Sequence, residues 1–145
     1  MSIDNIIAQV QTLQNNLEGQ AIIFLTEDKK KIIDLVRIDQ LFNKGEDADG
    51  NRLKPYTPFT RKVKIKEGRN PEIVSLFDEG DYYKGFDFTL ISGEILNIFS
   101  RDFKARELSE KYGSRIDDLN DENEEKVNTN LEEELITWVL QSIKI

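Results

Sequence analysis

Between residues 47 and 88 the chain loses its helical spacing of apolar residues, and this interruption constrains the fold more than any other feature. On its N-terminal side Ile3, Ile6, Ile7, Val10, Leu13 and Leu17 recur at three- and four-residue steps, which places them on one helix face. At its C-terminal edge Phe86, Phe88 and Leu90 alternate with Asp87, Thr89 and Ile91, the period of a strand. Between the two lie Gly50, Pro55, Pro58, Gly68, Pro71 and Gly80, residues that set turns and stop regular structure. Helix, interruption, alternation and a final helical pattern predict an α+β fold, with N-terminal helices and a C-terminal helix packed on a small antiparallel sheet or hairpin. A chain of 145 residues forms a single domain, divided into a helical part (1–45), a turn and basic segment (46–72), a hairpin region (73–100) and helices carrying an acidic loop (101–145, acids at 117–125). At this size it buries about 68–70% of its unfolded surface and requires no metal or disulfide staple.

The local signals predict the following elements. Ser2 or Asp4 caps the first helix, which ends at Glu18-Gly19 or continues through the apolar run 21–25. Thr26-Glu27-Asp28 starts a second helix, in which Ile32, Leu35, Val36, Asp39 and Phe42 share a face, with Gly45 beyond its end. Residues 32–36 also satisfy the pattern of a short strand. Thr57 or Thr60 caps a short helix over 58–66. Residues 73–77 read as a short strand or helix entry, and Ser92-Gly93 turns a hairpin whose second face meets another subunit. Residues 102–112 form a helix that stops at Gly113. Thr129 or Asn130 caps the last one, with Leu131, Leu135, Trp138, Val139 and Ser142 on one face, widened by Ile136, Leu140 and Ile143. Glu132, Glu133 and Glu134 then lie near its positive end and Lys144 near its negative end.

Composition excludes whole classes of chemistry. Without His the commonest general base and metal ligand are missing, and without Cys there are no disulfides or thiolate sites. A formal net charge of −8 argues against general affinity for nucleic acid or for an anionic membrane. The longest apolar run, residues 21–25, is far short of the roughly 20 residues a membrane span needs. No basic segment precedes an apolar block at the N-terminus, so folding in a cytoplasm is expected.

Three constellations bear on function. Asp47, Asp49 and Gly50 suggest a calcium loop, but with Gly50 as its sixth residue the first and twelfth places fall to Gly45 and Tyr56. Both outer ligands are lacking, and an Asx-rich turn is the simpler reading. Asp78, Glu79, Asp81 and Asp87 are turn carboxylates with no cleft in the sequence to hold an acid pair. Arg61, Lys62, Lys64 and Lys66, with Arg52, Lys54 and Arg69, form a basic segment in an otherwise acidic chain. This segment is either a solvated face or a contact surface for acids of a neighbouring copy, with Asp117 and Asp118 opening the acidic run. Direct DNA contact fits it less well.

The central stretch resembles phage virion-morphogenesis proteins, the small tail-completion or neck proteins that close the head-proximal end of a tail. That family carries a glycine turn followed by Trp-x-Pro-Leu-Ser, then a Thr and a Lys, and later Leu-x-x-Thr-Gly before an aromatic residue. Here the first part stands as Gly50-Asn51-Arg52-Leu53-Lys54-Pro55-Tyr56-Thr57 with Thr60 and Lys62, and the second as Leu76-Phe77-Asp78-Glu79-Gly80-Asp81-Tyr82-Tyr83. Leu53 stands where the family has Trp, and Glu79 where it has Thr. The resemblance spans residues 40–100. It implies a structural protein of the virion rather than an enzyme, with no cofactor, which assembles as a homo-oligomeric ring against connector, neck and tail-tube proteins. Gly50 and Gly80 then set turns, Leu53, Pro55, Tyr56, Leu76 and Tyr83 build the motif's packing, and the basic residues face the next copy. The alternative from another class is a small acidic phage- or prophage-encoded inhibitor that binds a host factor.

Overall fold

The computed structural model describes residues 2–143 and has an α+β architecture, with helices packed on a two-stranded antiparallel hairpin. Helix α1 (Ile3–Glu27) is capped by Ser2, whose side chain accepts a hydrogen bond from the Asn5 N–H at 3.3 Å. It runs through Gly19, where nothing stands close enough to exclude a side chain. Of the two readings of this region, the longer helix is therefore the one found. Only Ala21 and Leu25 of α1 are buried.

The chain bends at Asp28 without a loop. The Asp28 N–H donates to the Phe24 carbonyl at 2.9 Å, while its own carbonyl accepts from the Ile32 N–H at 3.0 Å. Thr26 does not cap the next helix as expected; its hydroxyl donates back to the Ile22 carbonyl at 2.7 Å, inside the last turn of α1. Helix α2 (Lys29–Asp34) passes directly into a π-helical segment (Leu35–Lys44). This winding corrects the predicted face. In an i→i+5 ladder residues four and five apart come together, so Ile32, Val36, Gln40 and Leu41 point inward and Phe42 is left 48% exposed. The strand reading of residues 32–36 falls with it.

Gly45 ends the π segment with φ +62°, and a Cβ there would lie 2.9 Å from Ile73 Cγ2 and 3.1 Å from the Val74 carbonyl oxygen. The chain passes through an isolated antiparallel bridge, Glu46 to Arg52, into helix α3 (Pro58–Lys66). Residues 73–77 are neither strand nor helix. They run irregularly across the end of the π segment, with Leu76 at φ +60°, and are held there by side chains rather than by a ladder. The Tyr83 hydroxyl donates to the Ser75 carbonyl, and Arg37 donates to the Tyr83 carbonyl at 2.9 Å. Gly80, at φ +89°, turns the chain into the one-turn helix α4 (Asp81–Lys84).

Strands β1 (Phe86–Ile91) and β2 (Glu94–Ser100) pair from Phe86 opposite Ser100 to Ile91 opposite Glu94, with a bulge that skips Leu96. The expected Ser92-Gly93 turn joins them, both residues at positive φ. Phe86, Phe88, Ile98 and Ser100 are buried against the helices. The opposite face carries polar pairs: Thr89 donates to Asn97 at 2.8 Å, and Asp87 meets Lys29 and Arg101, each at 2.7 Å. Those two cations hold the Asp87 carboxyl well below its usual range, Lys29 contributing most. Tyr82 and Phe86 meet edge to face in the core with centroids 5.0 Å apart, and the exposed Phe77 meets the buried Tyr83 in the same way at 5.2 Å.

Helix α5 (Ala105–Tyr112) starts three residues later than expected and stops at Gly113. The last helix, α6 (Asp121–Ser142), begins nine residues before Asn130, so only the first part of the acidic run 117–125 is loop. Asn120 is the cap, accepting from the Asn123 N–H at 2.8 Å, and Asp121, Glu122 and Glu124 occupy the positive end of the helix. The density of acids suggests a loop, whereas the helix dipole favours them in this place. Glu132, Glu133 and Glu134 consequently lie mid-helix, and Lys144 is outside the described residues. Leu131, Leu135, Trp138, Val139 and Ser142 are partly buried as predicted, but Ile136 and Leu140 point to solvent instead of widening that face. Helix α6 runs beside the C-terminal half of α1. There the Asn130 amide bridges Asp28 at 3.2 Å and Glu134 at 2.5 Å, and burial together with the Asp28 carboxylate pushes the Glu134 carboxyl up to about 7.

Candidate functional site

The basic segment forms α3 because Thr57 caps it, accepting from the Thr60 N–H at 3.3 Å, and Pro58 takes the first helical position. The helix rests on the body by one side only, and none of its residues is fully buried. That side uses two of the four predicted cations. Arg61 forks onto Glu72, with Nη2 2.5 Å from Oε1, and reaches the Pro71 carbonyl at 3.4 Å. The Lys64 ammonium stands 5.0 Å from the centroid of the Tyr56 ring, and burial, reinforced by Arg69, moves its pKa down. Lys62 and Lys66 lie on the opposite side, one turn apart, exposed and in no ion pair among the described residues. Phe59 and Ile65 flank them, 76% and 60% exposed. The structure thus splits the predicted cluster: Arg61 and Lys64 are anchors, while Lys62 and Lys66 form an outward surface with two large apolar side chains.

The acidic side needs a correction. Asp118 is committed to the fold: one carboxylate oxygen accepts from Arg115 at 2.8 Å, the other from the Leu119 N–H at 2.9 Å. Asp117 is partly buried, and desolvation, aided by Asp118 beside it, pushes its carboxyl up to about 6. Neither presents a free carboxylate to a neighbour. The outward acids are Asp121, Glu122, Glu124 and Glu125, on the first turns of α6; of these Glu122 has a cation within reach, Lys126 at 3.6 Å.

In the turn and core motif the packing falls to Leu53, Tyr56, Leu76 and Tyr83 without Pro55, which was expected to share it. Gly50 and Gly80 have φ of +78° and +89°, and Leu53 and Tyr83 are buried. Tyr56 and Leu76 pack against the core, Tyr56 half-buried beside Ser75, while Pro55 is exposed. The Asp47 carboxylate accepts from the Asp49 and Asn51 N–H groups at 2.9 and 3.0 Å, so the calcium-like segment is an Asx turn. Among the described residues no three His, Cys, Asp or Glu side chains gather as a metal site would require.

Beside α3 a cavity of about 210 Å³ is lined by Tyr56, Lys64, Leu76, Gly80, Lys104 and Tyr112 among others. Its chemistry is that of cations lying over rings, Lys64 on Tyr56 and, nearby, Lys111 on Tyr112 at 5.2 Å. Asp78 at its rim is paired with Arg69 at 3.1 Å.

Sequence reasoning missed the buried polar node that sets the start of α6. The fully buried Gln40 donates to the Asp118 carbonyl at 2.8 Å and accepts from the Asn120 N–H and the Asn123 amide, both at 2.9 Å. Asn123 also donates to Asp39 at 3.0 Å, the main reason the Asp39 carboxyl sits below its usual pKa. The available signal was a Gln between Val36 and Leu41 on a face that only π winding turns inward.

Comparison of the chain with protein-family models, with curated proteins and with solved structures finds no match.

Proposed function

We propose that this chain is a structural subunit of a phage particle, a tail-completion or neck component that joins head to tail by protein–protein assembly and performs no catalysis. The observation that supports this best is the outward side of α3, where Phe59 and Ile65 stand exposed beside the unpaired Lys62 and Lys66. Large apolar side chains grouped in water favour burial against a partner, and the two lysines between them give that partner a sign. The exposed acids at the start of α6 offer the complementary charge on a second copy, as successive subunits of a ring require. The resemblance of residues 40–100 to tail-completion proteins supplies the location: connector, neck and tail-tube proteins as neighbours, the host cytoplasm during assembly, the virion afterwards. The net charge of −8 argues against DNA as the direct ligand.

The test is made on particles. Mass spectrometry of purified virions should find the chain in a few copies per particle, and electron microscopy of a labelled copy should place it at the head–tail junction. The double variant Lys62→Glu/Lys66→Glu should fold and melt like the parent, yet leave unjoined heads and tails. Normal infectious particles with both reversals would remove α3 from the interface. A chain absent from virions and recovered on a host protein would replace this reading with the acidic inhibitor.

A further inference from the structure

Helix α1 is longer than the body it packs on. None of its described residues before Ala21 is buried. The hairpin tip meets it at Glu18 and Ala21, where a Cβ on Gly93 would lie 3.5 Å from the Glu18 carbonyl oxygen and 3.3 Å from the Ala21 Cβ. Helix α6 lies along the same C-terminal half: Gln20 and Phe24 share a cavity wall with Trp138 and Gln141, and Asn130 reaches Asp28. Residues 3–17 project beyond these contacts, roughly 22 Å of helix at 1.5 Å per residue.

This projecting part carries a seam. Ile3, Ile6, Val10, Leu13 and Leu17 alternate three- and four-residue steps, the a and d places of a heptad. The next two places in the same register are Gln20 and Phe24, the residues turned toward α6. One seam therefore has a C-terminal half facing α6 and an N-terminal half that no other element covers, in which Ile3 is 72% and Leu17 41% exposed while Ile6 and Leu13 are partly buried. The face that completes the open half is another helix of the same kind.

Charge decides whose helix it is. Residues 5–17 contain no charged side chain, although 33% of the chain is charged. A strongly charged partner gains no ion pair along this stretch. A second copy, which carries the same net charge of −8, is repelled over most of its surface but not here. The flanking Gln14 and Asn16 carry amides, each both donor and acceptor, so identical copies can hydrogen-bond to one another where like charges could not. We propose that two copies of this chain associate through residues 3–17 of α1, seam against seam, as a two-fold helical pair. This deepens the assembly reading by naming a homotypic surface separate from α3. The seam is barely more than two heptads long, so the pair is weak in dilute solution and strengthened where copies are held together.

The test uses the purified full chain. In sedimentation equilibrium its average mass should climb from one chain toward two as concentration approaches about 1 mM. Adding salt to about 0.5 M should leave this rise undiminished, because the contact is apolar. Val10→Asp/Leu13→Asp should stay at the mass of one chain at every concentration, with the parental circular dichroism and a melting temperature within a few degrees of the parent, since Val10 is exposed and Leu13 only partly buried. Ile136→Asp/Leu140→Asp, on the exposed side of α6, should associate like the parent. The chain has no cysteine, so single thiols report cleanly: Val10→Cys, at the middle of the seam, should form a disulfide dimer about tenfold faster than Asn15→Cys on the outer face. A parent that remains monomeric, a dimer that survives Val10→Asp/Leu13→Asp, or one lost through the α6 substitutions would overturn the proposal. Each of these is read in solution and leaves the presence of the chain in virions to be decided separately.

Discussion

Gln40 shows what one buried amide can organise. It closes three hydrogen bonds to residues about eighty positions away, and a hydrocarbon in its place leaves the Asp118 carbonyl and the Asn120 N–H without partners. Gln40→Leu keeps the volume and removes the bonds, so it should destabilise the fold by about 3 kcal/mol, read as a lower urea midpoint. Asp117 gives a pH signature of known sign. Its carboxyl titrates at about 6 in the fold against an ordinary value of 3.8, because burial penalises the charged form. The folded state therefore binds the extra proton between those values, and this group's contribution to stability falls as pH rises through them. Asp117→Asn should gain stability over the parent at about pH 7.5 and gain little at about pH 4, measured as urea midpoints at the two pH values. Neither role was legible from residue type. Gln40 reads as a polar interruption of an apolar face and Asp117 as one more acid in a run of them. Gly50 and Gly80 were legible, because the demand for positive φ is written in a single residue.

The elements with a strict period were read correctly, and the errors fell where winding or electrostatics overrides the period. The stripe from Ile3 to Leu17 gave α1, Thr57 and Pro58 gave α3, and Ser92-Gly93 gave the hairpin. Residues 35–44 were expected to wind as an α-helix, and the change to an i→i+5 ladder moved Phe42 out and Gln40 with Leu41 in. No propensity scale signals that change, because tertiary contacts at the far end select it. Residues 73–77 occupy the space beside Gly45, and this makes Gly45 the tightest turn of the π segment. Gly45→Ala should cost about 2–3 kcal/mol, from the left-handed φ and from crowding against Ile73 and Val74. Gly50→Ala, with equally positive φ but open space around it, should cost roughly 1 kcal/mol. Equal losses in thermal melts of the two variants would mean that residues 73–77 do not press on the π segment.

At the scale of the molecule, the α+β class followed from the order of periods along the chain, while the distribution of its surfaces did not. The basic run looked like a single patch, but a helix divides its residues by angle, and Lys62 parts from Arg61 although they are adjacent in sequence. The acidic run was divided in a different way, Asp117 and Asp118 drawn into the fold and the next four acids displayed on α6. Exposure of Phe59, Ile65, Ile136 and Leu140 depends on which side each helix turns to its neighbours, which a single chain's pattern leaves open. The bonds from Gln40 to residues 118–123 also set a timetable. During synthesis the π segment is made some eighty residues before its partners. A chain extending only to residue 100 contains α1 and both strands of the hairpin, yet it holds an unanswered amide in its middle and cannot complete its interior. Final consolidation waits until residues 118–123 have been made, so the interior closes only after the segment that answers Gln40 has followed it.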